Sequence, residues 1–199
     1  MKKFELTAES KINIFGKKLF RIKALISFGD VEEGETGGWI EKEENLEQSS
    51  GNAWVSGNAE VYGNAWVYGN AEVYGNARVS GNAEVYGNAW VYGNAEVSGN
   101  AEVYGNVEVY GNARVSGNAE VSGNADYTTI HGFGTQFRTT TFFQCEDKQI
   151  RVSCGCFLGT IPEFREQVKN TREGKIAEEY LMIADLMEKH FVKEKESGE

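Results

Sequence analysis

Between residues 51 and 122 small, apolar and polar positions recur in a fixed six-residue word, G-N-(A/V)-x-V-(Y/S), with twelve complete copies from Gly51 to Ser122. A thirteenth, "GNADYT", loses the pattern from Asp126 to Thr128. Inside each word A-x-V-Y alternates with the period of two that marks a short strand with one buried face. Alanine and valine point inward; the variable residue and Tyr or Ser point outward. Gly-Asn supplies a corner, because both residues accept left-handed backbone angles. A strand of about four residues and a two-residue corner, repeated at a fixed period, must coil. With three sides the coil holds eighteen residues, rises about 4.8 Å, and is completed about four and a third times over residues 51–128. A square or differently handed coil satisfies much of the same pattern.

The repeated word also places an aliphatic residue four positions before a small one: Val55 with Ala59, Val61 with Ala65, and so on to Val115 with Ala119. In this the chain resembles the left-handed β-helix, or hexapeptide-repeat, family over at least residues 51–128. The resemblance implies an all-β solenoid: a left-handed parallel β-helix, three-sided, with 18 residues per coil. The flanks "LFRIKALISFGDVEEGETGGWI" and "IRVSCGCFLGTIPEF" further resemble hexapeptide-repeat proteins of bacteriophages and prophages.

Three sides sort the variable positions into columns eighteen residues apart. The first face carries Trp54, Glu72, Trp90, Glu108 and Asp126, with Tyr74, Tyr92 and Tyr110 beside them. The second carries Glu60, Arg78, Glu96 and Arg114, an alternation that pairs opposite charges between coils. The third carries Trp66, Glu84, Glu102 and Glu120, flanked by Tyr68, Tyr86 and Tyr104. Its carboxylates, about 4.8 Å apart, repel by about 0.9 kcal/mol per neighbouring pair even in water. Either a basic partner neutralises Glu84, Glu102 and Glu120 while Tyr86 and Tyr104 add apolar contact, or the glutamates splay into solvent as a solubility device. Exposed aromatic stripes of this extent mark an interface. The expected oligomer contacts are Trp54, Trp66, Trp90, Tyr74 and Tyr92, with a monomer's stacked tyrosines as the competing explanation. The resemblance implies a homotrimer.

The solenoid's ends need covers. Residues 1–50 read as an N-terminal cap and irregular first coil, in which Ile40 and Leu46 fit the repeat. Val55 follows nine residues later and implies a three-residue bulge near Ser49 and Ser50. Residues 51–130 form the repeat body, and residues 131–199 a C-terminal hairpin with two helices. "TTTFFQCEDKQIRVSC" gives the hairpin. Thr160 and Glu163 make a capping box for a helix to about Asn170. A second helix over 175–193 places Ile176, Tyr180, Ile183, Met187 and Phe191 on one side. That side docks on the last coil or on a sister chain, so Tyr180, Met187 and Phe191 join the expected oligomer interface.

Composition narrows the chemistry. The net charge is −10, and the repeats hold most of it, with two basic and eight acidic residues over 51–128. Such a surface repels nucleic acid. Glu5 and Glu9 interrupt any secretory core and no stretch reaches the length of a membrane span, so a cytoplasmic protein with no membrane contact is expected. An acyl-coenzyme A-dependent transferase, the commonest enzyme of the resembled family, needs a histidine base, and only His131 and His190 are present, both outside the words. Neither is assigned a catalytic role. Cys145, Cys154, Cys156 and His190 are a zinc donor set in type but not in spacing, and buried thiols are the expectation. No metal or cofactor is assigned. The leading reading is a non-enzymatic scaffold or protein-binding module; a phage-encoded inhibitor occupying a basic nucleic-acid or defence-protein site is its sharper form. The acyltransferase and a self-assembling structural protein are the alternatives.

Overall fold

The computed structural model describes residues 2–191. Three strands open the chain, β1 (Phe4–Ile12), β2 (Lys18–Ala24) and β3 (Thr36–Ile40). Twelve two-residue strands follow at every sixth position, β4 to β15, from Trp54–Val55 to Glu120–Val121. The chain then forms β16 (Tyr127–Phe133), β17 (Arg138–Gln144), β18 (Ile150–Cys154) and β19 (Phe157–Thr160), and ends on α1 (Ile161–Thr171) and α2 (Gly174–His190).

The two-residue strands pair in parallel with a separation of eighteen residues, Val55 with Val73, Val61 with Val79 and Val67 with Val85. They form three parallel stacks, so the body is a three-sided β-solenoid of about five coils. Every valine of the repeat, from Val55 to Val121, is fully buried, and the alanines fill the space between them. Each corner glycine from Gly51 to Gly117 has φ between +61° and +77°, a region that other L-residues enter at a cost. The asparagines do more than turn the chain. Asn58, Asn76 and Asn94 each pass an amide N–H to the next side-chain oxygen, ending on Asn112, at 3.2–3.3 Å, and equivalent ladders climb the other two corners.

The three-residue bulge is present. Trp39 pairs with Glu60 and Leu46 with Val67, both 21 residues on, whereas every later rung is 18 apart. The N-terminal cap extends the second face, because β1, β2 and β3 continue the stack that holds Glu60, Arg78, Glu96 and Arg114. Phe4, Ile22 and Val31 close the solenoid core from above.

At the far end β16 to β19 form an antiparallel sheet across the last coil. The period of two along β17 serves two cores: Phe143 closes the solenoid and Phe142 faces the helices. Thr160 caps α1 by accepting from Glu163 N–H, and the Glu163 carboxylate accepts from Thr160 N–H. Helix α2 docks on this sheet and on α1; its expected last residues, 192 and 193, lie outside the described residues.

Several expected interface residues are spent inside the chain. Trp54 is 5% exposed, with its ring edge-on to Phe4 and Phe28 under the N-terminal cap. Tyr180 and Met187 are buried in the C-terminal core, and Phe191 packs against that core. None of Trp54, Tyr180 and Met187 is open to a second chain, because each cap consumes the apolar surface next to it. Asp126 also leaves the first-face column: its carboxylate accepts from Ser122 and Gly123 N–H and closes the turn that ends the repeat.

Candidate functional site

The outward columns follow the expected grouping. Trp54, Glu72, Trp90 and Glu108 stack on the first face, and Trp66, Glu84, Glu102 and Glu120 on the third. Strand pairing therefore dictates which side chains touch. On the third face Trp66 lies 4.0 Å from Tyr68, Tyr68 4.7 Å from Tyr86, and Tyr86 4.9 Å from Tyr104, all as near-parallel rings. On the first face Tyr74, Tyr92 and Tyr110 stack at 4.9 and 5.4 Å.

The same geometry answers the charge repulsion of the third face. Tyr68 donates its hydroxyl to Glu84 at 3.0 Å, Tyr86 to Glu102 at 3.1 Å and Tyr104 to Glu120 at 3.0 Å. On the first face Tyr92 donates to Glu108 at 2.8 Å. A hydrogen bond to a charged acceptor is stronger than a neutral one, so each tyrosine anchors the carboxylate of the next coil. The phenols keep their protons in consequence. Burial, reinforced by the Glu102 hydrogen bond, pushes Tyr86 up to about 12. For Tyr92 the bond to Glu108 leads and burial adds to it, again to about 12. Tyr68 is raised further, chiefly by burial.

Glu120 has a second partner. Lys148, in the turn between β17 and β18, reaches its carboxylate at 2.7 Å and holds its pKa below the usual range, helped by Tyr104. Glu84 and Glu102 have no cationic partner among the described residues. Trp66 and Trp90 are 38% and 42% exposed, and Tyr110 is 53% exposed. Two flat walls thus present aromatic surface edged with carboxylate, held by the repeat's hydrogen-bond ladders.

The second face balances itself. Arg78 and Arg114 both pair with Glu96, and Lys11 of β1 pairs with Glu60 at 2.7 Å. The tyrosine-to-glutamate donors and the asparagine ladders were not anticipated from the sequence. Their signal is there, since Tyr68 and Glu84, like Tyr86 and Glu102, stand sixteen residues apart, two short of one coil.

His131 lies on β16 with its Nδ1 3.4 Å from Thr139 Oγ1, and His190 ends α2 edge-on to Phe191. Cys145 is buried and its thiol is pushed up to about 11 by burial; Cys154 is half-buried and Cys156 exposed, all three free. Among the described residues no three His, Cys, Asp or Glu side chains gather where a metal ion would be held. No described helix is long and apolar enough to cross a membrane.

A family model described as YdcK Beta solenoid repeat matches residues 71–87 and 108–123. No curated protein matches the chain. With the parallel stacks this makes the chain a β-solenoid repeat protein.

Proposed function

We propose that the protein is a non-enzymatic binding scaffold whose third face takes a protein partner through a basic surface patch. The observation that carries this reading is the fixed column formed by Trp66, Tyr68, Tyr86 and Tyr104, beside which Glu84 and Glu102 are oriented by tyrosine hydroxyls and have no cation among the described residues. Aromatic surface that is already ordered loses little side-chain entropy on binding, and the carboxylates favour partners of opposite charge. The neutralisation of Glu120 by Lys148 shortens the open acidic row to two carboxylates. That length suits an arginine or lysine patch better than a long nucleic-acid cleft, and so favours the general form of the reading over inhibition by imitation of a phosphate backbone.

The first face supports self-association. Trp90 and Tyr110 are exposed on a flat wall that the N-terminal cap does not reach. Side-by-side packing of copies through this face, three in the arrangement the family resemblance implies, leaves the third-face column available.

The test is affinity capture with the wild-type chain and with a Glu84→Gln, Glu102→Gln, Tyr86→Phe triple variant, each verified by circular dichroism to be folded. Partners retained by the wild type and lost by the variant support the third face as the binding surface. Identical capture by both chains rejects it.

A further inference from the structure

At two charged ends of the outward columns a cap supplies the opposite charge. The second-face column begins on Glu60, and the N-terminal cap supplies Lys11 against it. The third-face column ends on Glu120, and the C-terminal cap supplies Lys148. The second-face column ends on Arg114, and there the C-terminal cap brings no acid. It brings Arg138 and His131, which with Arg114, Phe137 and Cys156 line a cavity of about 430 Å³ whose wall contains no Asp or Glu.

The two guanidinium groups converge on one residue. Arg114 donates from Nη1 to the Gly155 carbonyl at 3.3 Å, and Arg138 Nη1 lies 2.5 Å from where a Cβ on Gly155 would stand. Arg114 shares Glu96 with Arg78, and Arg138 has no carboxylate partner among the described residues. Glu96 thus answers two arginines and leaves Arg138 uncompensated, and an oxyanion held by Arg138 and Arg114 supplies the missing negative charge. Beside them Phe137 is 65% exposed and sits at φ +48°, which a bulky residue seldom adopts. The unusual backbone leaves the ring at the cavity wall instead of in the C-terminal core.

We propose that this cavity binds a small organic anion, with its carboxylate or phosphate gripped by Arg114 and Arg138 and a planar group laid against Phe137. Arginine forks match both oxyanions with paired hydrogen bonds, and the cavity has the size of small-ligand sites. The site lies on the C-terminal cap and the second face, away from the third-face column.

Calorimetric titration of the full chain at low salt with phenyl phosphate, benzoate and inorganic phosphate tests it. Saturable one-to-one binding of phenyl phosphate or benzoate is expected, and the tighter of the two identifies the oxyanion. Arg138→Gln should weaken that binding about tenfold or more. Arg138→Lys, which keeps the charge but loses the fork, should also weaken it. Phe137→Asn, which retains a residue tolerant of the left-handed backbone, should weaken the aromatic anions and leave inorganic phosphate unchanged. Absence of saturable binding by any probe overturns the proposal, as does binding that Arg138→Gln leaves unaltered. A lysine variant equal to the wild type overturns the paired grip.

Discussion

Tyr86 donates its hydroxyl to the Glu102 carboxylate of the next coil at 3.1 Å, while its ring lies between those of Tyr68 and Tyr104 at 4.7 and 4.9 Å. One side chain thus joins the aromatic stack to the acidic column. The eighteen-residue coil makes this possible, because it brings the outward tyrosine of one rung within reach of the outward glutamate of the next.

Ionising these tyrosines should unfold the stack. Tyr86 and Tyr92 are raised from 10.0 to about 12 in the folded chain, so the folded state holds their protons more firmly than the unfolded state does. Their contribution to stability is therefore fully present below pH 10 and lost as pH climbs through about 12. Near-ultraviolet phenolate absorbance should show several tyrosines titrating late, together with loss of circular dichroism. Tyr86→Phe should remove one late-titrating group. Titration of all nine tyrosines at the ordinary value would show that the hydroxyls are not held by the glutamates.

The corner glycines differ in what surrounds them, which separates backbone strain from crowding. A Cβ on Gly99, at φ +74°, would stand 2.7 Å from Gly117 N and 2.9 Å from Gly117 O, in backbone that cannot swing aside. A Cβ on Gly111, at φ +67°, meets nothing within 4 Å because no coil stacks over that corner. Gly111→Ala should cost about 1–2 kcal/mol from the left-handed backbone. Gly99→Ala should cost that and about 1–3 kcal/mol more from overpacking. Denaturant titration of both variants measures the difference; equal losses would mean that the coils spread to accept a methyl group.

The body of the fold was legible because each word repeats the same inward valine and the same glycine corner, so an error at one position is outvoted by the others. The bulge before Val55 was legible for the same reason, as a break in spacing. Strand β1 was not, because "FELTAESKI" alternates weakly and buries mainly Phe4. The fates of Trp54, Tyr180 and Met187 were hidden too. A period shows which way a side chain faces, but not that Phe4 and Phe28 will cover Trp54 or that Phe164 will cover Tyr180. The asparagine ladders and tyrosine donors depend on distances between side chains of neighbouring coils. The anion cavity joins Arg114 to β17 and to the Gly155 turn, elements whose approach no local pattern encodes.

The clasp between the C-terminal cap and the third face should be weak and sensitive to salt. Lys148 sits at φ +60° and its side chain is 66% exposed in its pairing with Glu120. Lys148→Asn keeps a residue suited to that backbone and removes the charge. It should lower stability only slightly, as exposed ion pairs do, and the loss should vanish in molar salt. Glu120 is held below its usual pKa, so its share of stability is present above the ordinary carboxylate range and disappears as pH falls. Thermal melts of both chains at low and high salt check this; a loss that persists in high salt would assign Lys148 a packing role.

Two tryptophans at equivalent positions of the first face should behave oppositely. Trp54 is 5% exposed and wedged against Phe4 and Phe28, whereas Trp90, two coils on, is 42% exposed. Trp54→Ala opens a hole beneath the N-terminal cap and should cost about 3–5 kcal/mol. Trp90→Ala gives up only the covered part of a ring that is 42% exposed and opens no enclosed hole, so it should cost less, about 1–2 kcal/mol. If copies pack through this face, the Trp90 variant should nevertheless shift toward a smaller native mass, while the wild type holds a fixed oligomer as concentration rises. Native mass measurement with chemical denaturation reads both effects on the same samples. An unchanged mass for the Trp90 variant would leave the first face as a solvent-exposed wall, and a mass that grew without limit for the wild type would replace a closed oligomer with a filament.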